Sequence, residues 1–248
     1  MVLTALRGAV GFLTRLPVGS DERAWEAFRD RPYVLPLAGY CVGLVVGLPL
    51  LAAALPAPTV GLLYLLAVVL VTGINHLDGL ADIGDAMVVH GGPDERRTAM
   101  KDTAVGVGAV VAVGIGLLGL VLGGFLLATL PARQAFGVGV AAEVGAKLSM
   151  VTLAGLGEAT HEGLGSQLTG ASPGQMAVAV LLGVPATFLA WPTLAALPAV
   201  IAGPLVGAGL LWWARRNLGG VSGDVFGASN ELARVAGVNA GVVAWTLL

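Results

Sequence analysis

The sequence predicts an all-α polytopic membrane protein, a bundle of six to seven transmembrane helices with an N-terminal interfacial helix, folded as one membrane-embedded domain over residues 1–248. Composition is the first observation behind this reading. The chain is 56% hydrophobic and 11% charged, with a mean hydropathy of +0.88, whereas a soluble domain carries about 25% charged residues and a disordered one is far less apolar. The second observation is where charge is missing: none falls between Arg31 and Asp78, between Asp102 and Arg133, or between Glu162 and Arg215. The third is that most of the basic residues gather in a few connecting segments. A single cysteine excludes an internal disulfide and a Cys-based zinc site, and a net charge of −2 leaves no nucleic-acid footprint.

Taken in chain order, Leu3, Leu6, Val10 and Leu13 recur at helical spacing beside Arg7, which suits a helix lying in the membrane interface. No basic segment precedes a compact apolar core with a small-residue cleavage site, so the whole chain is expected to be mature. Crossing about 30 Å of hydrocarbon takes about 20 apolar residues. On that basis spans are expected near 34–55, 59–76, 105–129, 134–156, 176–195, 197–214 and 226–247. Prolines mark the breaks, at Pro56-Ala57-Pro58, at Pro131, and between Pro192 and Pro198.

Basic residues set the expected orientation. With seven spans, Arg7, Arg15, Arg23, Arg29, Arg31, Arg96, Arg97, Lys101, Arg215 and Arg216 fall on one side. The positive-inside rule makes that side, and the N-terminus, cytoplasmic, in a multi-pass protein of the cell membrane. Every carboxylate except Glu143 falls in, or at the edge of, the same layer.

The segment from Gly73 to Ala86 follows an apolar helix and keeps helical spacing of its polar groups. At about 100° per residue, Asp82 and Asp85 lie within about 40° of Asp78, and Asn75 within about 60°. Three like charges on one face repel, and a divalent cation compensates them best. Hard oxygen ligands suit Mg²⁺, which keeps waters and completes its shell with substrate phosphates. The plainer alternative is a solvated helix end that caps a span. His76 points to the opposite face, as a packing or hydrogen-bonding residue or, less simply, a general base.

The loop from Asp94 to Gly108 places Arg96, Arg97 and Lys101 near these acids, and Gly106 and Gly108 at a helix start leave amides open to an anion. Positive-inside anchoring explains the same arginines. Near the C-terminus, Asp224 and Glu231 are seven apart and share a helix face, which suits a second acidic element of a metal site. Capping of the last helix by Ser222 or Asp224 is the competing reading. In the fourth span, Glu143 and Lys147 are four apart and can pair, as charges within a membrane must, or Lys147 can face the reaction chamber. The loop with Glu158, His161 and Glu162 reads as a mobile rim.

Four motifs appear in order: Phe12-Leu13-Thr14-Arg15-Leu16-Pro17-Val18; His76-x-Asp78-Gly79-x-Ala81-Asp82-x-x-Asp85; Met100-Lys101-Asp102 with Gly106; and Gly223-Asp224-x-x-Gly227-Ala228-x-x-Glu231. Together they resemble the signatures of the cobalamin-5'-phosphate synthase, or adenosylcobinamide-GDP ribazoletransferase, family. The resemblance implies a Mg²⁺-dependent membrane enzyme that joins adenosylcobinamide-GDP to α-ribazole or its 5'-phosphate and releases GMP, late in cobalamin synthesis. It implies Asp78, Asp82 and Asp85 as metal-binding acids, with Asp224 and Glu231 as a second acidic element. Lys101 and Asp102 join the acids as candidates for the chemistry, and Arg15, Asn75, His76, Arg96, Arg97, Gly106 and Lys147 as candidates for substrate binding. Lys147 stands where the resemblance leads one to expect arginine, so a bidentate phosphate clamp there is in question. Partner enzymes of nucleotide-loop assembly would explain why such a reaction sits at a membrane.

Two other functions compete. CDP-alcohol phosphotransferases, which act on lipids, need Asp-Gly-x-x-Ala-Arg, but here Asp82 directly follows Asp78-Gly79-Leu80-Ala81. A small-solute transporter would use the Glu143/Lys147 pair, yet such sites lie near the midplane on broken helices. The acids here collect at one face.

Overall fold

The computed structural model describes residues 1–19 and 21–247. Its helices are α1 (Val2–Leu13), α2 (Glu22–Arg29), α3 (Leu35–Val46), α4 (Ala57–Thr72), α5 (Asn75–Val88), α6 (Pro93–Ala99), α7 (Val107–Leu127), α8 (Ala132–Leu156), α9 (Leu164–Leu168), α10 (Pro173–Gly183), α11 (Ala196–Asn217) and α12 (Gly223–Leu247). Among the described residues there is no strand beyond an isolated bridge between Ala159 and Val221. The protein is an all-helical membrane protein, as expected.

The span count is smaller than six to seven. Among the described residues, only α7, α8 and α11 are long and apolar enough to cross a membrane, and a fourth span results if α4 and α5 count as one, bent by 99°. The reasons are local. The expected first span stops at Val46, and Pro49 lies in a 3₁₀ turn over Leu48–Leu51. The expected fifth span shortens to α10 and passes into a 3₁₀ segment, Val184–Phe188, that contains Pro185. Helix α12 has the length, but Asp224, Glu231 and Arg234 lower its apolarity. The N-terminal helix is present, and it is joined by the unexpected α2. There Asp21 caps the first turn by accepting the Ala24 N–H, and Phe12, Trp25 and Phe28 stack to hold the pair together.

Helix α8 is the axis, packed by α3, α11 and α12, and it is buried along most of its length. Backbones meet directly where side chains vanish: any Cβ on Gly203 of α11 would overlap Gly145 of α8. Such small-residue contacts drive helix association where lipid is as apolar as leucine. The outward faces are apolar, with Leu62, Leu66 and Leu70 on α4, Val111, Ile115 and Leu118 on α7, and Ile201 and Leu205 on α11 all exposed. A coat of this extent matches hydrocarbon rather than water.

Candidate active site

The acidic segment does not continue the helix before it. Gly73 has φ +74°, a conformation glycine adopts without strain, and the chain turns there so that α5 leaves the direction of α4 by 99°. Arg15 rests on this turn: its N–H donates to the Val71 carbonyl (2.7 Å), and a Cβ on Gly73 would come within 2.8 Å of its Nε.

Helix α5 then lies between α7 and α12. A Cβ on Gly79 would sit 2.7 Å from the Asp224 carbonyl oxygen, and one on Gly227 would sit 3.2 Å from the His76 Cα. The two glycines therefore let α5 and α12 touch backbone to backbone, which carries Asp224 to the acids of α5. Burial, and then the charges of Asp224, Asp78 and Asp85, push the Asp82 carboxyl up to about 7. Asp78 is exposed, and Asp82 and Asp224 are partly buried.

Asp85 is turned elsewhere. Its oxygens accept the N–H groups of Gly106 (2.9 Å) and Ala109 (2.8 Å), so it caps α7. The Gly106 amide, expected to face an anion, is engaged by this carboxylate. Arg96 likewise donates to carbonyls, those of Ala86 and Gly91, and holds the end of α5. Arg97 donates to the Leu218 carbonyl and pairs with Asp94, yet it still lines a cavity.

Three cavities adjoin at this face. One, of about 390 Å³, is lined by Asp78, Asp82, Asp85, Lys101 and Asp102. A second, of about 120 Å³, shares Lys101 with it and adds Arg97, Thr160, His161 and Asp224. A third, of about 160 Å³, shares Asp224 with the second and is lined by Asn75 and His76 among apolar side chains. Carboxylates and cations thus line neighbouring cavities that share Lys101, a setting that suits a phosphate-bearing ligand.

Sequence reasoning missed two features here. The loop read as a mobile rim is pinned instead, with the Thr160 N–H donating to the Val221 carbonyl (3.0 Å) and the Val221 N–H to the Glu158 carbonyl (2.8 Å), so Thr160 and His161 become cavity wall. Spacing gave no sign of this pairing, because it joins segments far apart in the chain.

The second feature is a buried polar network. Lys147 Nζ donates to Glu143 (2.9 Å), as the spacing allowed, and to Asn230 Oδ1 (2.9 Å). Arg234 pairs with both Glu143 and Glu231. Asn230 Nδ2 reaches Glu231 (3.0 Å) and His76 Nδ1 (3.1 Å). Lys147 and Glu231 therefore lie within the bundle, away from the open acids. Arg234 falls within the last expected span, 226–247, and a charge so placed is the signal that points to a partner.

The cobalamin-5-phosphate synthase family model matches residues 5–242. The chain belongs to that family. It is 52% identical over 256 residues to the adenosylcobinamide-GDP ribazoletransferase of Halorubrum lacusprofundi, covering 99% of each chain. It is 44% identical to that of Haloquadratum walsbyi over all of both chains, and 34% identical to that of Methanocella arvoryzae over 98% of this chain and 97% of the other. No solved structure matches. Membership makes the chain a transferase enzyme. The motifs that carry the resemblance fall on the parts that meet here: Asp78 and Asp82 on α5, Lys101 after α6, and Asp224 on α12.

Proposed function

We propose that this protein is an adenosylcobinamide-GDP ribazoletransferase, as its relatives are named. A ribose hydroxyl of α-ribazole, or of its 5'-phosphate, attacks the phosphorus on the cobinamide side of the pyrophosphate. The new O–P bond forms as the anhydride bond breaks, and GMP leaves with the bridging oxygen. The observation that carries this reading is the crowding of Asp78, Asp82 and Asp224 on two helices opposite Lys101 and Arg97.

Among the described residues, no group of three or more His, Cys, Asp or Glu side chains is placed to hold a metal ion. An open set of hard oxygens still fits Mg²⁺, because this ion keeps waters and is usually held by one or two carboxylates plus substrate phosphates. Asp82, with Asp78 or Asp224, would hold it, with Asp85 and Glu231 tied into the structure beside them. When bound, the ion would neutralise phosphate charge. Lys101 and Arg97 orient the pyrophosphate and take up the negative charge that develops on GMP. Asp102, in the wall of the same cavity, receives the proton of the attacking hydroxyl.

The face with these residues is cytoplasmic, by the distribution of Arg and Lys, and it is where partner enzymes of nucleotide-loop assembly would dock. The experiment is GMP release from labelled adenosylcobinamide-GDP by the purified protein in proteoliposomes. Release that requires α-ribazole and Mg²⁺, without movement of label across the bilayer, is expected. Transbilayer movement without release would overturn the enzyme reading in favour of transport.

A further inference from the structure

We infer that the cavity between α1, α5, α8, α9 and α12 is the seat of a planar nitrogen heterocycle, the base of the acceptor riboside, and that His76 Nε2–H reads its ring nitrogen. The inference rests on the ribazoletransferase reading and deepens it by giving the acceptor a place.

Size comes first. The cavity holds about 160 Å³, and an apolar protein cavity of about 150 Å³ takes one benzene-sized ring. That volume suits a flat ring system. The walls agree, since Phe12, Met150, Leu168 and Phe226 supply aromatic, thioether and aliphatic surface for the faces of a flat ring.

Polarity comes second, and the buried network decides it. Lys147 can only donate, so Asn230 turns its carbonyl oxygen to Lys147 and its NH₂ to His76 Nδ1. Nδ1 therefore accepts, and the ring proton sits on Nε2. His76 thus offers a donor to the cavity that it lines. The matching ligand group is an in-plane lone pair on a ring nitrogen, which a heterocyclic base has and a carbocyclic ring lacks.

Position comes third. Asp224 belongs both to this cavity and to the one lined by Arg97 and Lys101. A riboside with its base in the apolar cavity would extend its sugar past Asp224 toward the phosphate side, which is the direction the reaction requires.

The experiment compares acceptors in the full-length protein in proteoliposomes, with the KM for each substrate measured separately. Leu168→Trp fills the cavity and is expected to raise the KM for α-ribazole about tenfold or more, leaving the KM for adenosylcobinamide-GDP within about twofold. Phe12→Ala, at a partly buried wall, is expected to improve relative kcat/KM for ribosides of bulkier bases. His76→Phe removes the donor and is expected to abolish the preference for a ring-nitrogen base over a carbocyclic analogue. Calorimetric binding of α-ribazole without the donor substrate, weakened in Leu168→Trp, tests the seat even if turnover fails. A rise in the donor's KM with unchanged acceptor binding would overturn the placement. Absence of GMP release in the unaltered protein would instead sink the function and leave the binding result standing.

Discussion

Two clusters of charge lie within one bundle and are built on opposite terms. In the interior, Glu143 and Glu231 face Lys147 and Arg234, with each acid bonded to a base and each base to an acid. At the mouth, Asp78, Asp82 and Asp224 press on one another, and the cations stand across a cavity. Desolvated charges are costly unless paired, so the interior set is closed. Repulsion survives only where solvent reaches and where a ligand supplies the missing charge. Among the carboxylates, pairing therefore marks the groups that hold helices together, and its absence marks the groups left for chemistry.

The sharpest break in this comparison is Arg234→Met, which strands Glu143 and Glu231 without their guanidinium. A loss of about 3–5 kcal/mol is expected for breaking such a buried pair, read as reduced resistance to denaturation in detergent. Unchanged stability would remove the structural role of the interior cluster. Next comes Asp82→Asn, which keeps the side-chain shape and relieves repulsion. Turnover should fall about 10²- to 10³-fold, while stability holds or rises, the reverse of the interior variant. Full turnover with Mg²⁺ would contradict the central place given to these acids.

The smallest effect is in pH. The Asp82 carboxyl in the folded protein is raised from 3.8 to about 7, so between these values the folded state holds a proton that the unfolded state has released. Its contribution therefore favours the fold below the lower value and is lost as pH rises through the upper one. A bound cation must displace the same proton. Affinity for Mn²⁺, followed by electron paramagnetic resonance, should rise with pH up to about 7 and then level off. An affinity that does not change over that range would show that Asp82 is no ligand.

Much of this was legible in one dimension. Apolar length located α7, α8, α11 and α12, and a period of 3.6 put Asp78, Asp82 and Asp85 on one face, because both are properties of consecutive residues. The spacing of Glu143 and Lys147 allowed their contact for the same reason. The turn at Gly73 was not legible, since a lone glycine in a helical pattern is also compatible with a straight helix. Nor was the capture of Asp85 by α7, which depends on how two helices meet. Arg234 announced that it needed a partner, but the identity of Glu143 lay 91 positions away.

The grip of Asp85 on α7 reaches beyond the site. Helix α7 turns Val111, Ile115 and Leu118 outward, and its first turn is fastened through Gly106 and Ala109 to the helix that bears the other acids. A spanning helix adjusts its tilt to the thickness of the bilayer around it. A tilt of α7 is expected to pull on α5, so turnover should change with the acyl-chain length of the proteoliposome lipid as the spacing of Asp78 and Asp82 from Asp224 follows the bilayer.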